Sequence, residues 1–175
     1  MKIVGFTGKA GAGKDTLADY LVESHHYIKV SFAGPLKSML AQVGFPEPKD
    51  RAAKELPIEG FSFTWRDAAQ KLGTEWGRAL DPDIWVKIME NLLHRLSDDA
   101  RVVFSDVRFD NEAEMIRRLG GRIVHVTGRA ADLGAHAGHS SEAGVRWADG
   151  DVALDNSGSL EGTILDMHYR LLEAM

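Results

Sequence analysis

The chain has 175 residues, 44% of them apolar, enough for one well-buried domain with a small inserted lobe. Its formal net charge of −5 argues against non-specific attraction to nucleic-acid polymers or membranes, and the absence of cysteine excludes a disulfide framework and thiolate chemistry. No apolar run reaches the length of a membrane span, and the N-terminus runs straight into a strand-like segment, so a cytoplasmic protein without a signal peptide is expected.

The first element expected is a short strand, Ile3-Val4-Gly5-Phe6. A glycine-rich stretch follows, Gly8-Lys9-Ala10-Gly11-Ala12-Gly13-Lys14-Asp15-Thr16, and then Leu17, Ala18, Leu21 and Val22 at helical spacing. Strand, glycine loop, lysine and helix make the arrangement of a phosphate-binding P-loop. Glycines let the backbone curl until several N–H groups point at an anion. The helix start adds its positive dipole end, and Lys14 adds a full charge for the outer phosphates. Gly8, Gly11, Ala12, Gly13, Lys14, Asp15 and Thr16 are therefore the candidate nucleotide-binding residues. The position after the lysine usually carries a hydroxyl that holds Mg²⁺, but here it is Asp15, with Thr16 one place later. Two roles are open to Asp15: touching Mg²⁺ or its waters, or serving the helix dipole alone. Thr16 can donate its hydroxyl to an inner phosphate.

Tyr27 to Ala33 reads as a second strand, and Pro35 begins a helix carrying Leu36, Met39, Leu40 and Val43. Residues 44–60 hold three prolines and many charges, so a loop or mobile insertion is expected there. Thr64 is a candidate N-cap, with Asp67 as a weak capping partner, for a helix carrying Trp65, Ala68, Ala69 and Leu72. After a polar, glycine-flanked run from Gly73 to Arg78, Asp81-Pro82 opens another helix. Its apolar rows Ile84-Ile88-Leu92 and Trp85-Met89-Leu93 predict a wide buried face.

Arg101 to Asp106 is a third strand ending in an acid. A helix over Asn111 to Leu119 stops at Gly120-Gly121, and Arg122 to Thr127 is a fourth strand. Residues 128–144 show no period. Asp151 to Asp155 is a fifth strand, and Ser159 to Ala174 a closing helix with Leu160, Ile164, His168, Leu171 and Leu172 on one side. The seven histidines show no paired metal-ligand spacing, and His25-His26 falls at a helix end, where the dipole is sufficient reason for it.

Alternating strands and helices predict an α/β fold: a five-stranded, mostly parallel sheet with helices on both faces, the three-layer P-loop NTPase architecture. Ligands bind at the carboxyl ends of such strands. That end collects the glycine loop, Ser31, Asp106, Arg108 and Arg129. Ser31 and Asp106 are candidates for touching substrate. Asp106 has two readings, a second acid near Mg²⁺ or a cap on the next turn. Phosphoryl transfer needs positioning and positive charge around the moving group. Lys14, Arg108 and Arg129 are the candidate catalytic cations, with Arg66, Arg78 and Arg146 also near element ends. Asn156 either lines an adenine pocket or forms a turn. His139 and Glu142 lie in a lid or in a solvated loop.

Several stretches, in order along nearly the whole chain, resemble the deoxynucleoside monophosphate kinase family. They are Gly13-Lys14-Asp15-Thr16, Ser31 to Lys37, Leu72 to Glu75, Trp85, Asp106 to Glu112 with its asparagine at 111, His139-x-Ser141-Glu142, and Asp155-Asn156-x-Gly158. Asp15, unusual for P-loops in general, matches this family's Gly-Lys-Asp-Thr. The resemblance implies transfer of a phosphoryl group from ATP, with Mg²⁺, to a deoxynucleoside monophosphate. It implies that residues 8–16 hold the ATP phosphates, that Arg66, Gln70, Arg78 and Trp85 lie in an acceptor-side helical region (about 44–98), and that Arg129 opens a lid (about 128–146). Small-molecule substrates and a monomer or homodimer are expected. A kinase of a hydroxyl-bearing metabolite such as dephospho-coenzyme A, and a non-catalytic ATP-binding module, are the alternatives. An acceptor phosphate needs no general base, because its second pKa is about 6, whereas a hydroxyl wants a positioned carboxylate.

Overall fold

The computed structural model describes residues 1–128 and 144–172. Its centre is a five-stranded sheet of β1 (Lys2–Thr7), β2 (Ile28–Val30), β3 (Arg101–Phe104), β4 (Arg122–Thr127) and β5 (Val152–Asp155). The order is β2-β3-β1-β4-β5, and every pairing is parallel. The first strand in the sequence is therefore the middle of the sheet. Its two faces follow the two-residue period of a strand. Val4 and Phe6 pack with Val103, Val124 and Leu154 against Leu17, Ala18 and Leu21 of α1 (Lys14–His25) and Met167 at the end of α6 (Leu160–Met167). On the opposite face, the space above Gly5 is filled by Ile123, Val107 and Ile116 of α5 (Asp110–Arg118). Helices thus cover both sides of the sheet.

The chain divides into two compact units, Met1–Ser31 with His94–Met175, and Phe32–Leu93. The second contains α2 (Gly34–Gln42), a 3₁₀ turn (Ala52–Glu55), α3 (Trp65–Gln70), a π-helical stretch (Lys71–Arg78) and α4 (Ile84–Leu93). Its core joins Leu36 and Leu40 to Trp65 and Trp85.

Most expected elements form, with shifted ends. The second strand is shorter than expected: the chain leaves the sheet after Val30, and Phe32-Ala33 turn into α2. The third strand stops at Phe104, which places Ser105 and Asp106 beyond the ladder. Gly73 to Arg78 is helical, continuing directly from α3. Thr64 and Asp67 form a complete capping box: Thr64 Oγ1 accepts from the Asp67 N–H at 3.0 Å, and the Asp67 carboxylate accepts from the Thr64 N–H at 2.9 Å. The face of α4 is narrower than its pattern suggests. Trp85, Val86, Met89 and Leu93 are buried, but Ile88 and Leu92 are exposed. The closing helix runs as α6 and then as a π-helical turn, His168–Leu172.

One carboxylate ties the approach to β5 to its neighbours. Asp151, whose side chain is 1% exposed, accepts from Arg117 Nε (3.0 Å) and an Arg117 terminal nitrogen (2.6 Å), and from the Ala148 N–H (3.0 Å). His125 Nε2 lies 2.9 Å away, and the His125 ring lies against Trp147. Burial pushes the Asp151 pKa up, but the Arg117, His125 and Ala148 hydrogen bonds outweigh it and hold the carboxyl below its usual value. A depressed folded pKa contributes stability in full above the unfolded value of about 3.9, and that stability is lost as pH falls through the folded value. Asp151→Asn is therefore expected to cost roughly 3 kcal/mol at neutral pH, because it leaves Arg117 without its buried partner. Urea unfolding of both proteins from about pH 7 down to about pH 3 should show the gap closing in acid. A gap of constant size would show that the charge is not what matters.

Candidate active site

The loop between β1 and α1 takes its shape from three glycines with positive φ: Gly8 at 136°, Gly11 at 80° and Gly13 at 96°. Two of them are also closed to any side chain. A Cβ on Gly8 would sit 2.3 Å from the Val126 carbonyl oxygen, and one on Gly13 would sit 2.2 Å from Asn156 Nδ2. Gly13 is also the N-cap of α1, and no side chain among the described residues caps that helix. The first-turn N–H groups and the dipole end are thus presented to an anion. Lys14 is 9% exposed, and its Nζ donates to the carbonyls of Gly8 and Lys9, both at 2.8 Å. The ammonium is therefore held inside the curl of the loop.

Asn156 is what braces this loop. It follows β5, is 3% exposed, and donates from Nδ2 to the Ala12 carbonyl at 2.8 Å. Its Oδ1 accepts from the Thr163 hydroxyl at 3.0 Å, and its backbone N–H donates to the Thr127 carbonyl at 3.0 Å. Both ends of the amide are engaged within the protein. Contact with the glycine loop, rather than exposure in a pocket, is the geometry found at this position.

Two hydroxyl–carboxylate pairs stand at the ends of β2 and β3. Ser31 donates to Asp106 Oδ2 at 2.6 Å, and Ser105 donates to Asp15 Oδ1 at 2.8 Å. Lys29 Nζ, from β2, lies 3.0 Å from the same Asp15 oxygen and 2.8 Å from Asp19. Partial burial pushes the Asp15 pKa up, but the Ser105 and Lys29 hydrogen bonds and the Lys29 and Lys14 charges outweigh it. Asp15 is thus held ionised, below the usual carboxylate range. Among the described residues, no three His, Asp or Glu side chains converge as a metal cage.

The Arg108 backbone N–H donates to the Glu112 carboxylate at 2.8 Å, as does that of Phe109 at 3.2 Å. Glu112 is 3% exposed and opens the first turn of α5, so this acid shapes the chain that leaves Asp106. In the second unit, Arg66 Nε donates to Glu55, and an Arg78 terminal nitrogen donates to the Pro82 carbonyl at 2.9 Å. Gln70 ends α3. Trp85 is buried, with Nε1 donating to the Gly73 carbonyl at 2.8 Å, so its indole is bound up in the core of that unit. Arg146 pairs with Asp110 through both backbone and side chain. Arg129, His139 and Glu142 lie outside the described residues.

Three residues that position this site, Lys29, Ser105 and Thr163, carry no role in the sequence reading, and each acts on a partner rather than through a motif of its own. Glu112 enters that reading only as the last residue of the stretch Asp106 to Glu112, and its local signal is that of an acid in a first helical turn.

The sheet order, the glycine loop and the enclosed lysine define a P-loop fold. The gluconokinase of Sinorhizobium meliloti 1021 shares the fold, with a TM-score of 0.53 at 13% identity over 99% of this chain and 93% of that one. The family model for deoxynucleotide monophosphate kinases matches residues 55–165. An Acanthamoeba polyphaga mimivirus protein bearing the same family name is 31% identical over 178 residues, 92% of this chain and 91% of that one. The deoxynucleotide monophosphate kinase of Enterobacteria phage T4 is 23% identical over 92% of this chain and 95% of its own. The chain belongs to the deoxynucleotide monophosphate kinase family. Among its described residues, no helix is long and apolar enough to cross a membrane.

The brace on the loop can be tested by direction. Asn156→Ala leaves the Ala12 carbonyl and the Thr163 hydroxyl without their partner, at an expected cost of about 1–3 kcal/mol. Asn156→Asp restores an acceptor for Thr163 but sets an anion against the Ala12 carbonyl, so it should be at least as destabilising in urea. Parent-like stability in Asn156→Asp would show that donation to Ala12 is not what holds the loop.

Proposed function

We propose that the protein transfers the γ-phosphoryl group of ATP to the phosphate oxygen of a deoxynucleoside monophosphate, giving the diphosphate. The observation that carries this reading is the loop itself: positive-φ glycines, an uncapped α1 start and an enclosed Lys14, in a chain of this family. Residues Gly8 to Thr16 cradle the ATP phosphates with backbone N–H groups, and Lys14 turns from the loop carbonyls to the outer phosphate oxygens. Asp15 and Asp106 are the acids for Mg²⁺. Each already places one oxygen against a serine, and two carboxylates completed by substrate oxygens suit Mg²⁺ better than a closed protein cage. When bound, Mg²⁺ would offset charge on the terminal phosphates.

Arg108 and Arg129 supply positive charge for the transferring group, and Ser31, Arg66, Gln70, Arg78 and Trp85 belong to the acceptor side. Trp85 acts there through the packing of its unit. The acceptor needs no general base, since a nucleotide phosphate with a second pKa of about 6 is already ionised. Burial raises the Asp15 pKa, but the Ser105 and Lys29 hydrogen bonds outweigh it and keep the carboxylate ionised, as a place beside a cation requires. A cytoplasmic enzyme of deoxynucleotide metabolism is the setting that fits.

Coupled detection of ADP, with ATP, Mg²⁺ and each deoxynucleoside monophosphate in turn, is expected to show turnover with at least one of them. Lys14→Ala should lower kcat/KM by about 10²–10³. Turnover with dephospho-coenzyme A and none with any nucleotide would overturn the proposal.

A further inference from the structure

At the C-terminal end of α1, two polar rings of that helix meet a third from near the end of the chain. His25 is in the last turn of α1, and His168 opens the π-helical turn after α6. Their Nε2 atoms are 3.2 Å apart, and the Tyr20 hydroxyl is 2.8 Å from Nε2 of His168. The imidazole centroids are separated by 4.8 Å, with Tyr20 5.6 Å from one and 5.9 Å from the other.

Hydrogen bonding alone serves this group poorly. Nε2 of a neutral imidazole offers either one proton or one lone pair. His168 Nε2 faces two partners, and it satisfies only one of them well in either tautomer. A divalent ion would take the lone pairs of both imidazoles and of the phenolic oxygen together. The spacing also suits an ion. With Zn–N bonds of about 2.0–2.1 Å, an N···N distance of 3.2 Å corresponds to an N–Zn–N angle of roughly 100°.

The surroundings act in both directions. The negative end of α1 favours a cation. Arg101 opposes one, but its guanidinium is directed to the His25 carbonyl, donating at 3.2 Å.

We propose that His25, His168 and Tyr20 form a site for a borderline divalent transition-metal ion such as Zn²⁺, with two imidazole ligands and the tyrosine as oxygen donor. Imidazole donors suit zinc, copper and nickel rather than magnesium. The bound ion ties α1 to the turn that follows α6. It is separate from phosphate binding, because α1 has 12 residues and its two ends are about 18 Å apart.

The test uses the full chain, purified without a histidine tag and freed of metal by chelation. ZnCl₂ is titrated by calorimetry and followed by thermal melting, with no nucleotide or Mg²⁺ present, so the result is independent of the kinase reading. One Zn²⁺ per chain and a raised melting temperature are expected. His25→Ala and His168→Ala should each weaken binding by at least about tenfold, and Tyr20→Phe by less, with parent-like circular dichroism in all three. Co²⁺ added to the parent protein should give visible d–d bands of a nitrogen-ligated site, a readout that needs no variant. No saturable Zn²⁺ binding, an unchanged affinity in both histidine variants, or a Co²⁺ spectrum like that of the aquo ion would each overturn the proposal.

Discussion

The hydrogen bond from Asn156 to the Ala12 carbonyl joins the two ends of the chain's chemistry. It sets the end of β5 against the loop after β1, 144 residues earlier. Within the loop the Ala12 N–H donates to the Lys9 carbonyl at 3.2 Å, and the positive-φ glycines keep the rest of its backbone outside helix and strand geometry. The Asn156 side-chain amide adds the tie from across the fold, and Thr163 orients it from behind. Close packing then restricts position 13 to glycine, since any Cβ there would collide with the same amide. Glycine, asparagine and threonine thus form one device, and its product is a curl of backbone with Lys14 inside and the start of α1 open.

Electrostatics at the strand ends follow from this placement. On the proposed function, an acid directly after the loop lysine stands close to where phosphate charge would gather. Lys29, which reaches from β2 to Asp15 and Asp19, and the Ser105 hydroxyl offset its negative charge. Ser31 holds Asp106 in the same manner. The sheet order makes both pairs possible: β2 and β3 are neighbours, so residues leaving them lie side by side, with β1 and its loop next in line.

Features written in local pattern were legible in the sequence. The strand–glycine–lysine–helix unit, the alternation that yields a parallel sheet, and β4 with its exact limits all follow from periodicity and turn residues. The β2 strand was harder, because Phe32 and Ala33 are as apolar as strand residues and yet turn into α2. The width of the α4 face was overstated for a related reason: an apolar row states what can be buried, and Ile88 and Leu92 remain exposed. The helical character of Gly73 to Arg78 was hidden by its glycines, which disfavour a helix locally, although Gly77 leaves room for Trp85 and Gly73 for Leu36. Asn156 read as a turn or pocket residue because its partner lies across the fold. Lys29 and Ser105 were silent for the same reason, since a side chain that positions another side chain leaves no spacing to detect.

The central claim is that a loop shaped by glycine and braced by Asn156 holds the phosphates. The direct measurement is equilibrium binding of ATP to Gly13→Ala beside the parent protein, with circular dichroism confirming the fold of both. Because the added methyl strikes the Asn156 amide at a positive φ, the variant should remain folded and lose most of its affinity for ATP. Folded Gly13→Ala that binds ATP as tightly as the parent would contradict the account.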